Sequence, residues 1–374
     1  MDDTVSLKVN GRLYEGWTDV SIAASLQSLA RSFSVSATRT ATETGDLSVG
    51  IQCGDAVEVS IGRDRVLTGY VTDRDVSYDA SSIKVTVKGR SKPVDLEECS
   101  LPERAPKRLA AQTHRANIAA VCGFFGISVV DEVKSKDKAT FDAKVTETAK
   151  EALVRYLKAH SLILCDNEDG AVVISAAGSA GSAADELRVG KNVLSCERSQ
   201  SFKARYSRVV AIGQSANALS EAPVANNQLS QGADDKTVKR ERVKVIQLSG
   251  SATAAKLKAR AQLVLNAGIG ASDVCVYNVA GWRQSSGSLW RLNMFVSIVD
   301  PYTDLDEDFL ITGVTFTMSA TSGMRTRIEC KPETAVLSIN NQSDKDVAKP
   351  SSSAKWTDVK KPSGTTPGGE WTKS

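Results

Sequence analysis

The same succession of short alternating segments occurs twice in this 374-residue chain, once near each end. In each copy an alternating segment is followed by a turn, by a segment with Thr and Gly in its middle, and by a second alternating segment. The first copy occupies residues 57–61, 67–71 and 83–87, and the second occupies 295–299, 311–315 and 325–329. Alternation with period two is typical of strands with one buried face, so the repeat predicts two related β modules.

Each copy carries a glycine in the middle of a strand, Gly69 in the first and Gly313 in the second. Glycine inside a strand weakens it and often marks a sharp bend. Small barrels bend their strands at corners in this way. The two glycines therefore favour small barrels as the form of the two modules.

The region between the two copies has a different character. Apolar residues at helical spacing predict a helix over 108–125 that ends at Gly126. Thr148 followed by Glu151 is typical of a capping box and predicts the start of another helix. A strand hairpin is predicted over 162–175. These elements together predict an α+β insert.

The chain after the insert predicts one more helix and one long loop. Residues 251–267 have the helical pattern, with Ser251 or Thr253 as the cap and Gly268 as the terminator. Residues 215–235 are polar and lack periodicity, which is typical of a loop.

These patterns predict an α+β, mainly β fold with two related small β-barrel domains. We expect the first barrel at residues 1–95, the α+β insert domain at 96–180, and the second barrel, with one helix and a long loop, at 181–338. Residues 339–374 are rich in Ser, Lys, Pro and Gly and are unable to form a core of their own. We expect this extended C-terminal tail to contact partners.

Composition argues against several classes of protein. The net charge of +3 lacks the basic excess of a dedicated nucleic-acid binder. The seven cysteines include no C-x-x-C pair, which favours buried reduced thiols over a zinc site or a disulfide scaffold. The polar start of the chain predicts no signal peptide, and no segment approaches the ~18 apolar residues of a membrane span. We therefore expect no membrane insertion.

The sequence predicts no catalytic, cofactor-binding or metal-binding residues. The two histidines, His114 and His160, are predicted to lie on helix surfaces, and the common hydrolase, metalloprotease and P-loop motifs are missing. The acidic residues at 304–308 predict an exposed hairpin tip rather than a calcium loop. The basic residues at 236–244 predict a solvated strand or linker rather than a phosphate-binding patch.

Several short motifs, taken in order, resemble one known family. Residues 13–22 (LYEGWTDVSI) are similar to its opening pattern, and 67–71 and 83–90 follow at its spacing. The second half resembles the family's G-W…L-W-x-x-N pattern through Gly281-Trp282 and residues 289–293 (LWRLN). The chain resembles the tail hub proteins of Mu-like contractile-tailed phages, which are related to the late-control D proteins. The resemblance covers about residues 4–335.

The resemblance implies a structural protein of the tail baseplate in the virion, assembled in the cytoplasm of the bacterial host. It implies a homotrimer whose pseudo-sixfold ring adapts a hexameric tail tube to a trimeric central spike. The implied partners are further copies of the chain, the tail tube protein or a tube-distal initiator, the central spike protein, and wedge, baseplate and tape measure proteins. DNA is expected only as passing cargo, so the ring lining is expected to be neutral or mixed in charge.

Two other functions remain as alternatives at this stage. A carbohydrate- or nucleic-acid-binding barrel would need an aromatic-lined groove, yet aromatic residues are 5% of the chain. A cell-wall hydrolase would need convergent carboxylates or a histidine-bound metal. Under the hub hypothesis the candidate subunit-interface or core anchors are Trp17, Tyr70, Trp282 and Trp290.

Overall fold

The computed structural model describes residues 3–40, 50–158, 160, 162–215 and 228–332. The predicted C-terminal tail at 339–374 lies outside these residues. The described chain is mainly β with a few helices, as the sequence predicts. None of its helices is both long enough and apolar enough to cross a membrane.

The first module contains seven strands from the start of the chain. They are β1 (Val5–Val9), β2 (Arg12–Tyr14), β3 (Asp19–Ser25), β4 (Ser32–Thr40), β5 (Ala56–Ile61), β6 (Asp64–Tyr78) and β7 (Ser82–Ser91). Buried and exposed residues alternate along β1, β5 and the first half of β6. Their inward side chains form one face of the largest hydrophobic core.

The insert follows, with short helices and two small sheets around a core of its own. Its elements are α1 (Val94–Glu98), β8 (Arg108–Thr113), α2 (His114–Cys122), a 3-10 turn (Gly123–Phe125), β9 (Val129–Asp131), β10 (Lys138–Asp142), α3 (Ala149–Lys158), β11 (Ile163–Asp166) and β12 (Val172–Ser175). Strand β10 pairs with β8, and β11, β12 and β9 form the second sheet.

The insert confirms one prediction and corrects another. At the start of α3 the Thr148 N–H donates to Glu151 Oε2 at 2.9 Å and the Glu151 N–H donates to Thr148 Oγ1 at 3.2 Å, so the capping box is confirmed. The helix predicted over 108–125 begins only at His114, because the residues before it pair with β10 as β8. Thr113 caps the shorter helix by accepting from the Ala116 N–H.

The second module uses strands that are separated along the chain. They are β13 (Leu187–Arg188), β14 (Val193–Gln200), β18 (Asp273–Ala280), β19 (Phe295–Asp300), β20 (Leu305–Ser319) and β21 (Gly323–Lys331). Between β14 and β18 the chain forms a side domain with a separate core. It consists of β15 (Arg208–Ser215), β16 (Gln228–Asp234), β17 (Val243–Ala252) and α4 (Ala254–Gly270).

The side domain corrects two predictions. Residues 228–234 were predicted to be loop but form β16, which pairs with β15 and so satisfies its polar backbone. Gly268 was predicted to end the helix, yet α4 continues to Gly270. A methyl group on Gly268 would lie 2.2 Å from the Ala204 carbonyl oxygen, so this glycine permits a close approach to the preceding loop. Thr253 caps the helix, as one of the two predicted alternatives.

The two modules share one order of strands, which agrees with the predicted relation between them. The strand order is β3-β4-β7-β6-β5-β1 in the first and β14-β18-β21-β20-β19-β13 in the second. The first five strands of each order pair antiparallel, whereas the last contact differs, since β1 pairs antiparallel with β5 and β13 pairs parallel with β19. The corresponding strands β5 and β19 each have 6 residues, and the corresponding strands β6 and β20 each have 15. In both modules the long strand pairs with one neighbour along its first part and with another along its second part.

The modules are joined edge to edge. Residues 20–25 of β3 pair antiparallel with residues 313–318 of β20, so that one 13-stranded sheet runs through both modules. This intermodule joint connects residues that lie nearly 300 positions apart in the chain.

Gly69 is required where β6 bends from one neighbour to the other. A methyl group on this residue would lie 1.9 Å from the Arg90 carbonyl oxygen of β7. The backbone of β7 cannot withdraw without breaking its pairing with β4. Any side chain at this position therefore disrupts the sheet.

We predict that Gly69→Ala lowers the free energy of unfolding by about 2–3 kcal/mol, because the added carbon overlaps backbone. The measurement is chemical unfolding followed by circular dichroism. Gly123→Ala is the control, since nothing lies within 4 Å of the added carbon there, and it should leave stability unchanged or slightly raised. Equal losses in the two variants would contradict this account of the bend.

Candidate assembly interface

The intermodule joint buries an apolar stripe. Across it Phe316 of β20 lies opposite Ile22 of β3, and Met318 lies opposite Val20. Trp282 packs beside the joint, and its Nε1–H donates to the carbonyl oxygens of residues 317 and 325 at 3.0 and 3.1 Å. Its ring packs edge-on against Phe316 with 6.3 Å between centroids. The joint therefore combines backbone pairing with buried side-chain packing.

The three predicted tryptophan anchors lie in the core of a single chain. Trp17, Trp282 and Trp290 are buried in the same hydrophobic cluster, whereas Tyr70 of β6 is half-buried and lies outside it. In the described residues the Nε1 atoms of Trp17 and Trp290 are buried without a hydrogen-bond partner. A contribution of these four residues to a contact between subunits stays a prediction.

A buried ion pair connects the insert to the first module. Arg31 donates through Nε to Asp166 Oδ1 at 2.9 Å, through Nη2 to the Asp166 carbonyl at 3.0 Å, and through Nη1 to the Val66 carbonyl at 3.1 Å. The Ser91 hydroxyl donates to Asp166 Oδ2 at 2.6 Å. Burial raises the pKa of Asp166, while the Arg31 charge and the Ser91 hydroxyl oppose that rise.

Asn293 connects the insert to the second module. It is buried, has a φ of 62°, and donates through Nδ2 to Ser175 Oγ at 2.9 Å and to the Ala176 carbonyl at 2.8 Å. Its Oδ1 accepts from the Gly178 N–H at 2.9 Å. One side chain thus fixes the segment that leaves the insert.

Arg283 connects the two modules directly, on the loop after β18. It donates to Asp3 Oδ1 at 2.7 Å and also pairs with Asp64, at the tip of the β5–β6 turn. A further bond reaches the Ile61 carbonyl at 3.3 Å. Together with Arg31 and Asn293, this arginine fixes the relative positions of the first module, the insert and the second module.

His114 lies in the core of the insert, so the prediction of a surface position is wrong for it. It is 2% exposed, and its Nδ1 lies 2.8 Å from the Tyr156 hydroxyl, which accepts from Asn117 Nδ2 at 3.0 Å. The half-buried His160 ring lies 4.3 Å from that of His114. Burial and the neighbouring His114 lower the pKa of His160. In the described residues no three metal-ligating side chains come together.

The two charged runs lie on the surface. Asp304, with a φ of 53°, lies in the turn before β20, which confirms the predicted hairpin tip for this residue. The acidic residues at 306–308 are exposed but lie on β20 itself, where they pair with β19. The basic residues at 236–244 are mostly exposed and lie in the connection to β17 and its first residues. Neither run faces an enclosed site.

The expectation of buried thiols holds for part of the set. Four free cysteines are buried, whereas Cys53 and Cys99 are exposed and Cys196 is half-buried on β14. Burial raises the pKa of the Cys122 thiol to about 12, so this buried cysteine is unreactive at neutral pH.

Sequence reasoning missed Arg31, Asp166 and Arg283. The oppositely charged partners of these residues lie 135 or more positions away along the chain, and no local pattern indicates such a pairing. Asn293 carried a signal, since it is the last residue of the L-W-x-x-N motif, whose function in positioning the insert is visible only in three dimensions.

Comparisons with known proteins find matches in one family. The model of Mu phage baseplate assembly protein GpP-like, N-terminal, matches residues 4–91. The model of baseplate hub protein gp44-like, second domain, matches 94–176, and that of Mu phage baseplate assembly protein GpP, fourth domain, matches 253–338. The baseplate hub protein gp44 of Escherichia phage Mu is 30% identical over 349 residues, which cover 90% of each chain.

Two solved structures are similar over most of their length. The 43 kDa tail protein of prophage MuSo2 from Shewanella oneidensis is 29% identical, with a TM-score of 0.81 over 89% of this chain and 100% of that one. The tail protein from Neisseria meningitidis MC58 is 21% identical, with a TM-score of 0.78 over 91% of this chain and 99% of that one. The second likeness concerns the fold alone.

We predict that Arg31→Ala destabilises the chain by about 3–5 kcal/mol, because it leaves the Asp166 carboxylate buried without its counter-charge. The exposed pair between Arg188 and Glu186 provides the control, and Glu186→Gln should leave the unfolding midpoint unchanged. The measurement is urea unfolding of both variants beside the parent chain. An Arg31→Ala midpoint equal to that of the control would contradict a structural role for the buried pair.

Proposed function

Because this chain belongs to the family of Mu-like phage baseplate hub proteins, we propose that it is a structural subunit of the tail baseplate in the virion, without catalytic activity. The hydrogen bonds and ion pairs made by Arg31, Asn293 and Arg283 support this function, since they fix the positions of the modules and the insert relative to one another. The cleft of about 740 Å³ where the modules and the insert meet is lined by Arg31, Asp166 and Asn293, which are already engaged in structural hydrogen bonds.

The chain functions as a homotrimer that forms a pseudo-sixfold ring. The single observation that supports this most strongly is the shared topology of the two modules. Three chains supply six similar modules, so one face of the ring can meet a hexameric tail tube. The insert and the side domain occur once per chain, so another face can meet a trimeric central spike. Closed rotational symmetry ends growth of the assembly.

The proposed partners follow from this symmetry. They are the tail tube protein or a tube-distal initiator, the central spike protein, and wedge and tape measure proteins around the ring, with DNA as passing cargo. Assembly takes place in the cytoplasm of the bacterial host. Carbohydrate binding, nucleic-acid binding and cell-wall hydrolysis gain no support from any group of described side chains.

The proposed domain organisation has four parts. Residues 1–95 and 181–338 hold the ring modules, 96–180 hold the insert, and 339–374 form a tail that contacts partners. The family matches at 4–91, 94–176 and 253–338 support these limits. The side domain of β15–β17 and α4 lies within the third part and projects from the ring module.

We predict that the purified full-length chain has three chain masses in solution, measured by light scattering coupled to size exclusion, and forms rings in negative stain. The physical reason is that each module of a lone chain leaves sheet edges uncovered. The same measurement across a dilution series separates a stable trimer from transient association. A monomer at every concentration, or a protein that degrades cell-wall material, would contradict the hub function.

A further inference from the structure

The second half of β6 has one uncovered edge. Residues 72–78 pair with β7 on one side, and in the described part of the chain no strand pairs with them on the other. All of these residues are exposed, and they include two large apolar side chains, Val76 at 48% and Tyr78 at 82% exposure. An uncovered strand edge with exposed apolar residues is a template for pairing with another strand.

The counterpart of this edge in the second module is covered. Residues 313–318 of β20 pair with β3 through the intermodule joint. There Phe316 is buried against the residues of β3, and Met318 is half-buried and packs on the same core. The chain therefore contains, within itself, one example of how this kind of edge is covered.

The pairing registers give the residue correspondence between the two long strands. In the first module Arg74 of β6 lies opposite Val87 of β7, and in the second Val314 of β20 lies opposite Ile328 of β21. Each of these pairs is the second one after the register shift between its two strands. Val87 and Ile328 are both fully buried core residues. Arg74 thus corresponds to Val314. In this correspondence the two Thr-Gly segments that the sequence aligned lie four residues apart, so the structure corrects that part of the predicted repeat.

Two residues further along each strand, Val76 corresponds to Phe316 and Tyr78 corresponds to Met318. Val76 and Tyr78 of β6 are exposed, whereas Phe316 and Met318 of β20 are covered by β3. The exposure of Val76 and Tyr78 is therefore explained by the missing counterpart of β3, not by a different type of strand.

The strand of the second module that is equivalent to β3 is β14. It is the edge strand of the second module, as β3 is of the first, and residues 194–200 have no described strand on their outer side. Cys196 of β14 lies opposite Tyr277, and Val20 of β3 lies opposite Val35. Tyr277 and Val35 in turn lie opposite Ile328 and Val87, so Cys196 corresponds to Val20.

We propose that β14 of one subunit pairs antiparallel with residues 74–78 of β6 in the neighbouring subunit. The register of the intermodule joint places Cys196 opposite Tyr78, and it places Arg198 opposite Val76. This inference deepens the proposed trimer, on which it rests, by naming the strands that join its subunits. The contact repeats between subunits the joint that β3 and β20 make within one.

The charges agree with this register. Asp75 lies opposite Ser199, Ser77 lies opposite Glu197, and Arg74 lies opposite residue 200, a glutamine. No charged residue then lies directly opposite one of the same sign, a pairing that would destabilise the sheet. Each chain carries one edge of each kind, so the contact is head to tail and forms a ring when its rotation closes.

The experiment uses the cysteine that the chain already has. Tyr78→Cys places a thiol opposite Cys196 of the neighbouring subunit, and Tyr78 is exposed enough for the substitution to be tolerated. After mild oxidation of the full-length protein, non-reducing electrophoresis should show covalent trimers, and peptide mapping should join position 78 to Cys196. The double variant Tyr78→Cys, Cys196→Ser retains the exposed Cys53 and Cys99 and should lose the cross-link.

A second variant tests the same edge without a new bond. Val76→Lys should weaken the trimer about tenfold in its dissociation constant, because it places a charge at a position to be covered. Val145→Lys is the matched control at another exposed valine, on the insert, and should leave the trimer unchanged. A trimer that forms no 78–196 link and is unaffected by Val76→Lys would overturn the strand pairing while the trimer stands. A persistent monomer in the parent chain would overturn both proposals.

Discussion

The pairing of β3 with β20 is the contact on which the rest of the structure depends. It converts two separate modules into one sheet, and it does so with backbone hydrogen bonds whose register is fixed by the apolar residues on one face. A shift of one residue would turn Ile22 and Phe316 towards the wrong face. The relation of the two modules is therefore set by strand register, a more exact constraint than an apolar contact between smooth surfaces.

Three polar contacts near the joint make the arrangement of the modules and the insert more specific. Arg31 with Asp166, Arg283 with Asp3, and Asn293 with the end of the insert each connect two different parts of the chain. Buried pairs of this kind contribute little net stability, yet the loss of one partner is costly. They favour one arrangement of the three parts over others of similar apolar burial. A subunit of the proposed ring would need that uniqueness, because errors in module geometry accumulate around a closed ring.

The sequence predicted what local patterns can encode. The alternation in β5, β6 and β7, repeated in β19, β20 and β21, was sufficient for the duplication, and Thr148 with Glu151 was sufficient for the start of α3. It failed where tertiary contacts override local preference, since residues 108–113 became a strand through their pairing with β10. Gly268 was misread because its function is the close approach of Ala204, which lies 64 positions away. The ion pairs of Arg31 and Arg283 had no local signal at all, whereas Asn293 was visible only as the end of a motif.

In the proposed ring, the two similar modules of each chain let three subunits imitate six. Electron cryomicroscopy of the purified full-length ring tests it most directly, without imposed symmetry beyond threefold. We expect six modules at intervals of roughly 60°, with the sheet continuous across the junctions within subunits and between them. A ring whose modules are unevenly spaced would contradict the imitation of sixfold symmetry, and evenly spaced modules with three open junctions would contradict only the pairing of β14 with β6.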